Sequence, residues 1–172
     1  YNFEIDKDLK KYVEETTGLS NIEEVLEVLA GPFGKYVFEI LIHSYEEYYF
    51  VKEFQGLSSI FEDVYQESFN QIKNLKAFNQ FLSLLFHNIT SYLEVDTSSF
   101  NKNIRTSITE SEKLLSKFTY DSNNLEEVIE LTIQIIDICR VNKLLPDLRE
   151  YSLGEQREIL ESMDDNIVDE LN

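Results

Sequence analysis

A chain of 172 residues can bury a sizeable core, and with Gly and Pro totalling seven residues it favours helices and short connections over a β-rich or linker-rich design. Its net charge of -18 repels nucleic acid and anionic membrane, so no nucleic-acid partner is expected. The single cysteine, Cys139, excludes an internal disulfide and points to a reducing compartment.

The expected fold is all-α: one domain over 1–172, a compact bundle of about seven to eight amphipathic helices around a central apolar helix at about 35–54. A first helix is capped by Asp6, carries Leu9, Tyr12, Val13 and Thr16 inward, and ends at Gly18. Ser20 and Glu23 form a capping box that opens a second helix, with Val25, Leu26 and Leu29 inward and a stop at Gly31 and Pro32. The central helix follows, apolar or aromatic around most of its circumference. Glu39, Glu46 and Glu53 recur every seven residues and form its one polar stripe.

A capping box at Ser59 and Glu62 opens the fourth helix, expected to bury Phe61, Val64, Tyr65, Phe69 and Ile72 and to reach about Lys73. The fifth spans about Leu75 to Glu94, with Phe78, Phe81, Leu82, Leu85 and Ile89 in a broad stripe. Residues 95–99 read as a loop. The sixth helix, about Phe100 to Phe118, should lie outside, burying only a thin stripe that includes Ile104, Ile108 and Ser111. The seventh, Leu125 to Leu145, has two adjacent apolar stripes and is stopped by Pro146. A third capping box, Ser152 with Glu155, starts a last helix whose inward residues are Leu153, Gln156, Leu160, Met163, Ile167 and Leu171. Short loops predict antiparallel neighbours.

No apolar run is long enough to span a bilayer, and no basic, apolar leader opens the chain, which begins at Tyr1 rather than Met. That start fits a trimmed chain, a piece of a longer protein or a processed form. A cytoplasmic location is expected, with a secreted form left open.

The two histidines lack catalytic or metal spacing: Ile40 and Leu84 stand where a di-iron helix would need Glu before His43 and His87. Cys139 sits on an apolar stripe and is expected to be a core thiol. Ser152 and Gly154 do not form a nucleophile elbow, and no glycine loop could cradle a phosphate. No catalytic residue, cofactor or metal is therefore expected. The one metal-like pattern is the Asp164, Asp165, Asp169 cluster, where residues four apart share a helical face; it is loosely similar to the aspartate-rich helix of isoprenoid synthases but covers eight residues only.

Charge is unevenly spread: residues 123–172 hold 13 Asp and Glu against 4 Lys and Arg, while 75–122 hold 5 of each. Glu126, Glu127, Glu130 and Asp137 on the seventh helix, with Glu155, Glu158, Glu161, Asp165 and Asp169 on the last, make an acidic face suited to a basic protein partner. Tyr45, Tyr48 and Tyr49 are candidate groove aromatics, because a buried tyrosine hydroxyl must reach a partner or water. The expected function is a non-catalytic acidic domain that binds a basic partner, such as an immunity protein or toxin inhibitor. The alternatives are a helical adaptor of a larger protein and a metal-dependent enzyme using the aspartate cluster.

Overall fold

The computed structural model describes residues 22–54, 56–91, 95–146, 152, 154–159 and 161, and among these there is no strand. The helices are α1 (Ile22–Ala30), α2 (Gly34–Glu53), α3 (Leu57–Asn70), α4 (Ala77–Thr90), α5 (Lys102–Leu115) and α6 (Leu125–Val141), with a single 3-10 turn at Ile72–Asn74 before α4. Residues 154–159 are helical as well, and Glu155 N–H donates to Ser152 Oγ at 3.2 Å, as a capping serine requires. The expected first helix, its Asp6 cap and the Ser20 cap lie outside the described residues.

α2 is central, as its apolar circumference implies. It packs chiefly on α4 and α6, and α4 packs on α5. Val37, Phe38, Leu41 and Ile42 of α2 meet Phe81, Leu82, Leu84 and Leu85 of α4 and Ile129, Ile135 and Ile136 of α6 in one buried cluster. Each such side chain contributes roughly 1.5–3 kcal/mol on leaving water. Glu39, Glu46 and Glu53 are all exposed, so the acidic stripe is the wet edge of the helix.

Among consecutive helices, α4 and α5 depart from the antiparallel expectation. Phe33 meets Phe78, His43 meets Phe86, and Tyr48 lies beside Ile89 and Ser91, so α2 and α4 advance together and run parallel. α5 runs the same way, since Lys73 sits over the Phe100 ring just before α4 and α5 begin, and Asn88 bonds Glu112 near their ends. Two stretches make this possible: α3 with the 3-10 turn leads back from the end of α2, and residues 95–101 lead into the start of α5. α6 is antiparallel to α2: Tyr120, ahead of α6, stacks on Tyr45, while Arg140 near the end of α6 reaches the Ala30 carbonyl ahead of α2.

Gly31 makes the turn between α1 and α2 at φ +78, and its amide donates to the Glu27 carbonyl at 3.0 Å. A Cβ there would crowd Arg140 Nη2, the atom that donates to Ala30 O at 3.1 Å. Glycine thus suits the left-handed backbone, and a side chain there would make the Arg140 guanidinium shift.

Three other expectations are corrected. The fourth predicted helix begins at Leu57, not at a Ser59 cap; Gly56, at φ +92, precedes it, and Ser59 Oγ donates back to the Gly56 carbonyl. None of its residues is buried: Val64 is 61% exposed, and Phe61, Tyr65 and Phe69 are half-buried. Only Ile72, in the 3-10 turn, is fully inside. The seventh predicted helix ends at Val141, before Pro146 could stop it. Lys143 adopts φ +61, and Leu144 N–H donates to the Cys139 carbonyl at 2.8 Å, which is a left-handed C-cap. In the last helix Ile159, not assigned inward, is half-buried against the core with Gln156 half-buried, whereas Leu153, Leu160, Met163, Ile167 and Leu171 lie outside the residues whose side chains are described.

Candidate binding groove at the helix C-termini

Parallel packing brings the C-terminal ends of α2, α4 and α5 to one end of the bundle. α2 has 20 residues and α4 has 14, so α2 projects past its neighbour by roughly 9 Å at 1.5 Å per residue. That mismatch leaves the last turns of an apolar helix partly uncovered: Tyr49 is 43% exposed, Phe50 53% and Phe54 49%. Against the step lie two clefts that share Tyr48 and Ser91. One, of about 520 Å³, is lined by Val51, Lys52, Phe54, Glu62 and Thr90 among others. Its neighbour, of about 380 Å³, adds Tyr45, Asn88, Glu112, Leu115 and Phe118.

The aromatic wall is held by ring contacts. Tyr45 stacks on Tyr120 at 5.3 Å and leans on Phe118 at 5.4 Å. Tyr48 meets Tyr49 edge to face at 5.3 Å. Glu46 accepts from the Tyr120 hydroxyl at 3.1 Å and Glu47 from the Tyr65 hydroxyl at 2.8 Å, so successive carboxylates of α2 anchor rings on both sides. Burial, with the neighbouring Tyr49 hydroxyl adding, pushes the Tyr45 hydroxyl up to about 12, and it stays protonated at neutral pH. The floor carries helix ends: Ser91, in the left-handed region at φ +58, closes α4, and Ser116 closes α5. The helix dipole gives each end a partial negative charge, softened here because Ser91 Oγ donates to the Asn88 carbonyl and Ser116 Oγ to the Lys113 carbonyl. Glu62 and Glu112 add full ones, and Lys52 is the basic side chain lining the clefts. Such a groove suits a cation with an apolar or planar body.

The predicted acidic face is placed less uniformly than its sequence pattern implies. Glu127, Glu130, Glu155, Glu158 and Glu161 are exposed, and Glu126 is half-buried. Asp137 is exposed but lies 3.4 Å from Arg140 on the next turn, which offsets part of its charge. Asp165 and Asp169, with Asp164 of the metal-like cluster, lie outside the described residues. Of the three candidate groove aromatics, Tyr45 and Tyr48 line the clefts, while Tyr49 lines neither and meets the Tyr48 ring edge to face. Lys52, Glu62, Ser91 and Glu112 line the clefts too, and the sequence does not mark them as groove residues, since they come from α2, α3, α4 and α5; Tyr120, stacked on Tyr45, is an aromatic in a polar connection and the one available signal.

His87 is buried among Tyr65, Phe69 and Phe86, and burial lowers its basicity to a pKa of about 4. It is therefore neutral at pH 7, and its Nδ1 has no hydrogen-bond partner among the described residues. His43 is exposed and stacks on Phe86. Cys139 is fully buried, and burial pushes its thiol up, away from the reactive thiolate. Among the described residues no group of three His, Cys, Asp or Glu could hold a metal, and no helix is long and apolar enough to cross a membrane. Comparison with family models, with curated proteins and with solved structures gave no match.

Proposed function

We propose that the chain is a non-catalytic binding domain for a basic protein surface, in the manner of an immunity protein or inhibitor that occupies a cationic toxin. The observation that carries this reading is the gathering of the α2, α4 and α5 C-termini around a groove walled by Tyr45 and Tyr48 and flanked by Glu62 and Glu112. Helix ends and carboxylates favour positive charge, while the tyrosine faces attract cations and bury apolar stems. The overall charge of -18 would steer a basic partner and repel nucleic acid. Exposed Glu127, Glu130, Glu155, Glu158 and Glu161 would supply this long-range field, with the groove supplying contact.

The test is titration of the protein with a dye-labelled arginine-glycine peptide. Affinity is expected to fall steeply from about 0.01 M to about 0.15 M salt, as the screening length shrinks from about 30 Å to about 8 Å. Glu62→Gln with Glu112→Gln is expected to weaken it further. Binding that ignores both salt and these carboxylates would overturn the reading.

A second reading, a helical adaptor domain of a larger protein, draws on apolar side chains outside the groove. Ile60 and Val64, one turn apart on α3, are 58% and 61% exposed. Under that reading, Ile60→Ser with Val64→Ser would abolish partner binding, whereas the groove carboxylates would not matter.

A further inference from the structure

Lys52 already places a cation in the groove. Its Nζ lies 5.7 Å from the centroid of the Tyr48 ring, and both residues line the larger cleft with Glu62, Thr90 and Ser91. The pairing follows from helix geometry: a side chain four residues on leans toward the N-terminus and covers the turn behind it. Tyr48 is half-buried and braced edge-on by Tyr49, so its ring is a fixed platform. Lys52 is exposed and sits in the last turn of α2, so its long stem has room to swing away.

We infer that the Tyr48 platform is a subsite for an arginine side chain of the basic partner, and that Lys52 is its resident occupant, displaced when the partner docks. This rests on the partner reading above and names the chemistry of its contact. Two properties make arginine the incoming group. A guanidinium is planar and more weakly hydrated than an ammonium, so it stacks on an aromatic face at lower desolvation cost. Its fork of donors also suits the Glu62 carboxylate, which lines the same cleft as Tyr48. Moving Lys52 out leaves Glu62 and Glu112 as the charged lining of the groove, so complementarity rises as the exchange proceeds. Lys52 thereby sets a threshold: weakly cationic surfaces fail to evict it.

The test compares the full chain with Lys52→Met, Tyr48→Phe and Tyr48→Leu, binding a dye-labelled arginine-glycine peptide and its citrulline counterpart, which keeps shape but lacks charge. Lys73→Met is the control, because Lys73 makes a similar contact, 5.6 Å from the Phe100 ring, at the other end of the bundle. Lys52→Met is expected to bind the arginine peptide about 2- to 5-fold tighter, the range of an exposed cation-ring contact. Lys73→Met should match the parent, Tyr48→Phe should still bind, and Tyr48→Leu and the citrulline peptide should lose binding. In the unsubstituted protein, the ring-shifted Lys52 Cε proton resonance should move to its solvent value as arginine peptide is added. Equal tightening by Lys52→Met and Lys73→Met, or a Lys52 resonance that stays put at saturation, overturns the subsite and leaves the partner reading standing. Absence of arginine-peptide binding by every chain overturns both.

Discussion

The rings of Tyr45 and Tyr120 lie 3° from parallel with their centroids 5.3 Å apart, and this stack ties α2 to the chain entering α6. Because burial raises the Tyr45 pKa to about 12 from an ordinary 10, the folded state holds the proton more tightly than the unfolded state. The contribution is present in full below pH 10 and is lost as pH rises from about 10 to about 12. Tyr45→Phe is expected to flatten that alkaline loss relative to the parent, read from melting temperatures across pH 9 to 12. Parallel curves would place the Tyr45 hydroxyl in water.

His87 produces the opposite slope. Its pKa falls from 6.5 to about 4 on folding, so the unfolded chain takes up the proton first. Stability is complete above pH 6.5 and declines as pH falls toward 4. His87→Leu should remove this component, leaving a melting temperature at pH 7 equal to or above the parent's, because an unpartnered buried nitrogen is also removed. Carboxylates titrate in the lower part of this window, so the difference between the two proteins is the quantity to read.

Two left-handed positions make a matched pair. Gly31→Ala is expected to destabilise by ~1–2 kcal/mol from the backbone alone, and more if Arg140 must give up its bond to the Ala30 carbonyl. Lys143→Gly, at φ +61 in the cap of α6, should stabilise by ~0.5–1 kcal/mol, since it relieves the same penalty less the entropy of glycine. Urea unfolding of both variants checks the signs.

α3 is held by half-buried rings, and its outer residues touch little. Val64→Ser is expected to change stability by less than ~0.5 kcal/mol, while Phe81→Ala, at a site with no exposed area, should cost ~3–5 kcal/mol. A large loss from Val64→Ser would show that α3 packs more tightly than its surface suggests.

Sequence periodicity located most of the helices and the core. The stripes of Phe78, Phe81, Leu82 and Leu85 and of Val128, Ile129, Thr132 and Ile136 are buried where the 3.6-residue repeat puts them. Local chemistry also marked Gly31 as a stop and Ser152 as a cap, because both act within a few residues of themselves. It failed at α3, where apolar letters on two faces exceed what one neighbouring helix can cover. It failed at the end of α6 too, where a lysine takes the position usually held by glycine.

An amphipathic stripe records which face is buried and is blind to the direction in which the neighbour runs. Whether α2, α4 and α5 are parallel depends on the connections between them, including α3, and on side chains that meet only when the chain has closed on itself. The sequence by itself determined an acidic all-helical chain with an apolar central helix and a tyrosine cluster at Tyr45, Tyr48 and Tyr49. Tertiary structure alone decided that the longer α2 outruns α4, that three negative helix ends converge beside that cluster, and that Lys52 lies in the resulting groove. Helix length and composition are local properties, whereas the alignment of helix ends is set by packing between segments distant in the chain.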